Sequence, residues 1–508
     1  MKKILTDIRS LAAVLMASAA FVACSNDDIL NDQTTNTPND QKFYTMTVEV
    51  SKADDVASTR ALTLSGNELA ATWKAGEVVK VVKDNTIIGE LTAQASNDGT
   101  TTLTGQIDEN NLPSNGETLT FYLHDTLFDY TGQSGLLTNG NEKSIENNYD
   151  YDYCTAAVTV DNEKKTISVN GGITFNSPQQ AIIKFTLKDK ASGNPINADK
   201  LTISGSKGQA KWVRKVNMLS LADEGDIDVT PESATNVIFV SLYQPYAYSL
   251  TLTATAGAFT YEYDYGGSDK PGTLSMVHGS YYDVTVKMTR KSIDLSKLPS
   301  GEFIAQNGEE LTGTLNNNQV MVSIAEGATV KLNNVTINGE KELGGGCPGI
   351  TCLGDATLRC NGTVTVNGYA SYPGIYVPEG KTLTLTGGNL YASSAGSGAG
   401  IGGGQNLDCG NIVLGSMANV YATGGTNAAC IGSGANASCG NITVYDIAYY
   451  MEATKGSDAP YCIGKGFGSN NSSGIITIGN DNVYYDGSNF TSTQAENALK
   501  GTMFTWQP

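Results

Sequence analysis

Tyr44, Met46, Val48 and Val50 alternate with Thr45, Thr47, Glu49 and Ser51, and strict two-residue alternation marks a strand with one buried face. Short stretches of the same kind follow at Ala61–Leu64, Thr72–Val81 and Ile87–Leu91, split by Gly, Asn and Asp, and they recur as far as Tyr282–Met288. Turn residues at this density, with long helix-period stretches scarce, predict an all-β fold built as antiparallel sandwiches. An Asn/Asp/Tyr-rich stretch around Asn147–Tyr153 gives way to the apolar run Ile182–Leu187, so a seam is expected between residues 160 and 178. We place one sandwich at 43–165, a second at 166–290, and a linker at 291–300, where Pro299 stands in a stretch of little hydrophobic pattern.

From residue 301 the chain repeats. Gly400-Ile401-Gly402, Cys430-Ile431-Gly432 and Cys462-Ile463-Gly464 share one element, with looser forms at Ile350 and Ile375, so the isoleucines are 25, 26, 30 and 32 residues apart. Cys409-Gly410-Asn411-Ile412 returns as Cys439-Gly440-Asn441-Ile442, and Asn389-Leu390-Tyr391-Ala392 as Asn419-Val420-Tyr421-Ala422. Three short strands per period with glycine corners predict the coils of a parallel β-helix over 301–508, stacked about 4.8 Å apart. Cys409 with Cys439, and Cys430 with Cys462, then become vertical neighbours. Neighbouring coils lie within disulfide reach, yet cysteine also serves as a small buried hydrophobe, and unbonded ladders are the favoured reading. Cys347, Cys352 and Cys360 have no histidine near them in this segment, so no metal is expected there. Thr493 with Glu496 forms a capping box for a short helix through Leu499, with Gly501 at its exit, as a stop on the last coil.

The beginning of the chain changes the setting. Lys2, Lys3 and Arg9 precede an apolar run over Leu11–Val22, and Phe21-Val22-Ala23-Cys24 looks like a bacterial lipobox. Residues 1–23 are expected to be a signal peptide, Cys24 the lipidated mature N-terminus, and the polar residues 24–42 a disordered tether. Ser25-Asn26-Asp27-Asp28 is similar to the acidic export signal that sends lipoproteins of Gram-negative anaerobes to the outer face of the outer membrane. The formal charge is -19, and removing a leader of +2 leaves -19 - 2 = -21. Such a chain lacks the basic stripe that nucleic acid or an anionic bilayer surface requires, so its membrane contact is expected through the lipid alone.

Several elements together resemble the fimbrillin-like surface lipoproteins of those anaerobes over about residues 1–290: the lipobox, Val56-Ala57-Ser58-Thr59-Arg60-Ala61, Trp73-Lys74-Ala75-Gly76-Glu77-Val78, and Gly279-Ser280-Tyr281-Tyr282-Asp283-Val284-Thr285-Val286. The resemblance implies a pair of transthyretin-like sandwiches and a cut between Arg60 and Ala61 that removes the strand Tyr44–Ser51. The groove left behind would take a strand from another fimbrial subunit. A solvated loop arginine is the other reading of Arg60. The repeat region also looks similar to carbohydrate-binding β-helix modules, which implies host or dietary glycans as partners.

Catalysis on such a solenoid needs paired carboxylates, or a base beside a cation, gathered on one face. Between Ile375 and Val444 the only charged residues are Glu379, Lys381 and Asp408, and Glu340, Glu342, Asp355, Asp446, Glu452 and Asp458 read as solvated loop carboxylates. We therefore expect no enzyme and no cofactor. Tyr261, Tyr263 and Tyr265 alternate on one strand and, with Tyr449 and Tyr450, are candidate ligand-contacting aromatics, against the alternative of sheet packing. The first functional expectation is an adhesive or fimbria-associated subunit displaying a binding domain. A stand-alone glycan-binding lipoprotein comes second and a polysaccharide-degrading enzyme third.

Overall fold

A computed structural model describes residues 43–506 apart from 53–61, 66–67, 72, 95–99, 139–140, 206–211, 218–222, 244–248, 267–275, 316–319, 340–345, 445–446, 469–470, 480, 486–488 and 491–492. The signal peptide, Cys24, the tether, Arg60 and Ala61 lie outside the described residues. What is described is nearly all β, with α-helices at Ile145–Asn148 and Thr493–Lys500.

The first sheet has 8 strands and closes on itself. Strand Phe43–Lys52 pairs antiparallel with Thr101–Asp108 along one edge. Along its other edge it runs parallel to Thr166–Val169 and then to Ile173–Phe175. Antiparallel pairings through Thr86–Ala93, Val78–Lys83, Thr118–Leu123 and Tyr153–Asp161 complete the ring. Tyr44, Met46, Val48 and Val50 are buried within it. They pack with Leu91, Leu103, Ile107, Phe121 and Phe175, and the Trp73 ring meets Phe175 edge-on. Two expectations are corrected here. Because Thr166–Val169 and Ile173–Phe175 complete the first sheet, the boundary expected at 165/166 lies after Phe175. The arrangement is also not purely antiparallel: alternation tells which face of a strand is buried but carries no information on the direction of its neighbour.

Ala181–Asp189 pairs antiparallel with Val237–Leu242 and parallel with Tyr281–Asp294. This layer faces Lys200–Gly205, Leu250–Ala256 and Phe259–Tyr265, of which the middle strand runs antiparallel to the other two. Ile183, Phe185, Leu201, Ile203, Ile238 and Leu252 fill the space between. The stretch between two strands of the first ring, Thr118–Leu123 and Tyr153–Asp161, belongs to this core too: Phe128, Tyr130 and Tyr151 are buried in it, and Leu127–Asp129 pairs with Trp212–Asn217.

Strand Tyr281–Asp294 runs for 14 residues. Past its contact with Ala181–Asp189 it pairs with Phe259–Tyr265 and, at Ser292–Asp294, with Glu310–Leu315. The linker expected at 291–300 is therefore corrected. Its first half is strand, Leu295–Lys297 is a single 3-10 turn, and Ile293 and Leu295 are fully buried.

Beyond it every period of the repeat adds one strand to each of two parallel sheets. One sheet holds Glu310–Leu315, Ala328–Asn338, Ala356–Gly368, Thr382–Ser394 and Asn411–Thr423 in that order. The other is a 7-stranded ladder in which Val322, Ile350, Ile375, Ile401, Ile431 and Ile463 stand in register. These side chains meet Leu358, Leu383, Leu385, Ile412 and Leu414 in one continuous core. Each long strand shifts register midway, beside residues with positive φ such as Asn334 (49°), Gly362 (67°) and Gly387 (100°). A residue in the αL region locally disrupts the ladder, which fits the register shift at that point. At the far end Leu499, on helix Thr493–Lys500, and Phe504, on strand Met503–Trp506, join the same core.

Candidate binding surface

The second half of each long strand alternates its side chains between this core and the outside. Val364, Leu390, Val420 and Met451 point in, as do Val366, Ala392, Ala422 and Ala453. The residues between them form three columns, because parallel pairing in register places equivalent positions one above another. Asn338, Asn367, Ser393 and Thr423 make one column. In it Asn367 Nδ2 donates to Asn338 Oδ1 at 2.7 Å and Ser393 Oγ donates to Asn367 Oδ1 at 2.6 Å. Thr363, Asn389, Asn419 and Tyr450 make the second, with Asn419 Nδ2 donating to Asn389 Oδ1 at 2.7 Å. The central column reads Thr314, Thr336, Thr365, Tyr391, Tyr421 and Glu452.

Tyr391 and Tyr421 stack with ring centroids 4.6 Å apart and planes 6° from parallel. Tyr450 continues the group from the adjacent column, 5.9 Å from Tyr421 and tilted by 48°. Its hydroxyl donates to Glu452 Oε2 at 3.2 Å. The rings make an aromatic strip on an outer wall otherwise lined with hydroxyls and amides.

Of the aromatics expected to meet a ligand, Tyr450 is on this wall. Tyr449 shares its strand, Ile447–Thr454. Sequence reasoning passed over Tyr391 and Tyr421, although their repeat, Asn-Leu-Tyr-Ala and Asn-Val-Tyr-Ala, carried the signal. Tyr261, Tyr263 and Tyr265 are elsewhere: all are half-buried and pack against the core of the second layer pair. Tyr261 also lines a cleft of about 630 Å³ with Asp189, Arg290, Asn307 and Glu309, where the repeat region begins. Tyr149 and Tyr151 are buried, with Tyr149 ending a helical turn. Their alternation with Tyr153 therefore does not make one exposed face.

Of the carboxylates weighed above, Glu340, Glu342 and Asp446 lie outside the described residues. Asp355 Oδ1 accepts from the Thr382 N–H at 2.7 Å, and Glu452 is engaged by Tyr450. Among the described residues no three His, Cys, Asp or Glu side chains converge as for a metal ion. His124 lines an open cleft of about 720 Å³ with Lys74, Glu77 and Asp125, and His278 rests against the Tyr243 ring at 5.2 Å.

Cys409 and Cys439 face each other across adjacent coils, and so do Cys430 and Cys462 through backbone pairing. All four are free thiols. Each S–H points at a carbonyl: Cys409 to Gly432 O at 3.2 Å, Cys430 to Cys462 O at 2.6 Å, Cys439 to Gly464 O at 3.4 Å and Cys462 to Gly501 O at 3.0 Å. The Cys439 thiol, together with burial, pushes Cys409 well above the ordinary thiol range, and burial does the same to Cys430. Burial pushes Cys352 and Cys360 up to about 12. An unfolded thiol ionises near pH 8.5, so between there and about pH 12 the unfolded chain releases protons that the folded one retains. The stability held by the neutral thiols of Cys352 and Cys360 is thus complete below that window and is lost as pH rises through it, by at most about 1 kcal/mol per pH unit for each. Urea midpoints are expected to fall steeply above pH 9, and Cys352→Ser together with Cys360→Ser is expected to flatten the slope.

No family model matches the chain, and no curated protein matches it. Solved structures similar to part of it include a cell-adhesion candidate from Bacteroides uniformis, 12% identical, covering 48% of this chain and 96% of that one, with a TM-score of 0.27. A shaft pilin of Lactobacillus rhamnosus GG is 12% identical over 51% of this chain and 100% of that one, with a TM-score of 0.20. A pilus 2b backbone protein of group B streptococcus is 11% identical over 51% and 90%, with a TM-score of 0.16. Scores of this size carry no argument for fold or role.

Proposed function

We propose that the protein is a cell-surface structural and adhesive subunit, anchored to the outer membrane through Cys24, whose residues 301–508 form a parallel β-helix displayed outward. The reading rests on the place of strand Phe43–Lys52. It is paired along both edges and buries Tyr44, Met46, Val48 and Val50 in the first core. A cut between Arg60 and Ala61 would leave this strand held by non-covalent contacts alone. Its departure would open a groove with unpaired backbone groups on both sides and a vacant apolar floor. A strand of like alternation from a neighbouring subunit would fill that groove, giving assembly into a fimbria-like polymer. The role is mechanical and adhesive rather than catalytic.

The test begins with a chain starting at Ala61. It is expected to capture a synthetic peptide of residues 43–52, and to lose that capture when the peptide carries Met46→Asp. On cells, mature protein beginning at Ala61 and running as a detergent-resistant ladder supports assembly. Surface protein that begins only at Cys24 and stays monomeric refutes it.

A further inference from the structure

We infer that the uncovered face of Tyr391 is a docking slot for one neutral hexopyranose ring at the end of a glycan. This deepens the display half of the proposed function and rests on it.

The slot follows from where the ring stack stops. Near-parallel rings on successive strands stack along the direction in which the coils repeat, so each tyrosine shows one face to the coil before it and one to the coil after it. Tyr421 covers the later face of Tyr391. The earlier face meets Thr365, and beyond that Thr336, both in register in the same column. A threonine fills far less height above the sheet than a tyrosine ring. The stack therefore ends over the shorter Thr365 side chain, and Tyr391 remains 41% exposed. Coil spacing is about 4.8 Å, and rings stack at centroid distances of about 4.5–7 Å, so one flat six-membered ring would continue the ladder above Thr365.

The surroundings select the kind of ring. Thr363 and Asn389 stand on one flank, Asn367 and Ser393 on the other. These groups donate and accept hydrogen bonds, which suits a ring with hydroxyls around its rim and C–H groups on its face. No charged residue occurs in Thr363–Gly368, Asn389–Ser394 or Asn419–Thr423. The ionisable side chain of the central column, Glu452, lies beyond Tyr421 at the far end of the stack. A neutral slot on a chain of formal charge -19 complements an uncharged sugar and disfavours sialic or uronic acids.

The experiment applies the labelled full chain to an array of hexose-, N-acetylhexosamine-, sialic acid- and uronic acid-terminated glycans. Capture of a neutral-ended set is expected. Tyr391→Ala should weaken it about tenfold or more, whereas Tyr391→Phe, which keeps the ring, should stay within about twofold. Thr365→Tyr should extend the aromatic stack into the slot and abolish capture without lowering the melting temperature. Absence of capture, preference for acidic termini, or undiminished binding by Thr365→Tyr would each overturn the inference. Capture of residues 43–52 by the chain starting at Ala61 involves none of these side chains, so its success beside a failed array would separate the slot from the assembly reading.

Discussion

Gly432→Ala is expected to destabilise the coil stack by about 4 kcal/mol or more. Gly432 has φ of +129°, a region in which side chains are almost never found. A Cβ there would lie 2.0 Å from the carbonyl oxygen of Gly464, the residue in register on the next coil. The obstacle is backbone fixed by its own ladder, so it cannot rotate aside. Gly402 stands in the same relation to Gly432, also at 2.0 Å. Gly380 is the control: its φ is +73°, but a Cβ would meet nothing within 4 Å. Gly380→Ala should therefore cost only about 1–2 kcal/mol, from backbone strain alone. Urea unfolding of the two variants checks the contrast, and equal losses would show that close approach between coils is not what demands glycine.

Removing the Arg290 guanidinium is expected to cost about 3–5 kcal/mol. Arg290 Nε donates to Glu309 Oε1 at 2.5 Å, and the Glu309 side chain is only 5% exposed. The guanidinium also lies 5.2 Å from the Phe259 ring centre and 5.7 Å from that of Phe303. Arg290→Leu would leave a buried carboxylate without its cation, which is worse than having neither charge. Arg290→Leu combined with Glu309→Leu should then recover most of the loss, and the double-mutant cycle measures the coupling. A double variant as unstable as the single would place the cost in lost ring packing instead.

Local periodicity made the strands and their buried faces legible. The isoleucines 25 to 32 residues apart stand in one in-register column, and the alternation over Tyr44–Val50 matches the observed burial. Partner choice was not legible, because it depends on residues far apart in the chain. Phe43–Lys52 takes a parallel neighbour more than a hundred residues onward. The last residues of Tyr281–Asp294 look like a linker until Glu310–Leu315 arrives beside them. The binding wall was half legible. Tyr449 and Tyr450 are adjacent in sequence, whereas Tyr391 and Tyr421 are isolated there and meet only because one period separates them. Tyr450 occupies the column of Asn419 rather than that of Tyr421, a displacement that only the register reveals. The half-buried trio Tyr261, Tyr263 and Tyr265 shows the converse: alternation marks a face, but a neighbouring layer can cover it.

The long strand Tyr281–Asp294 belongs at once to the layer containing Ala181–Asp189, to Phe259–Tyr265 and to the first parallel strand of the repeat. The distal sheet is therefore joined to the proximal half by backbone pairing at Ser292–Asp294 as well as by the chain itself, so a load on the distal strands passes through a shared strand. Traction at the junction meets a beam rather than a hinge.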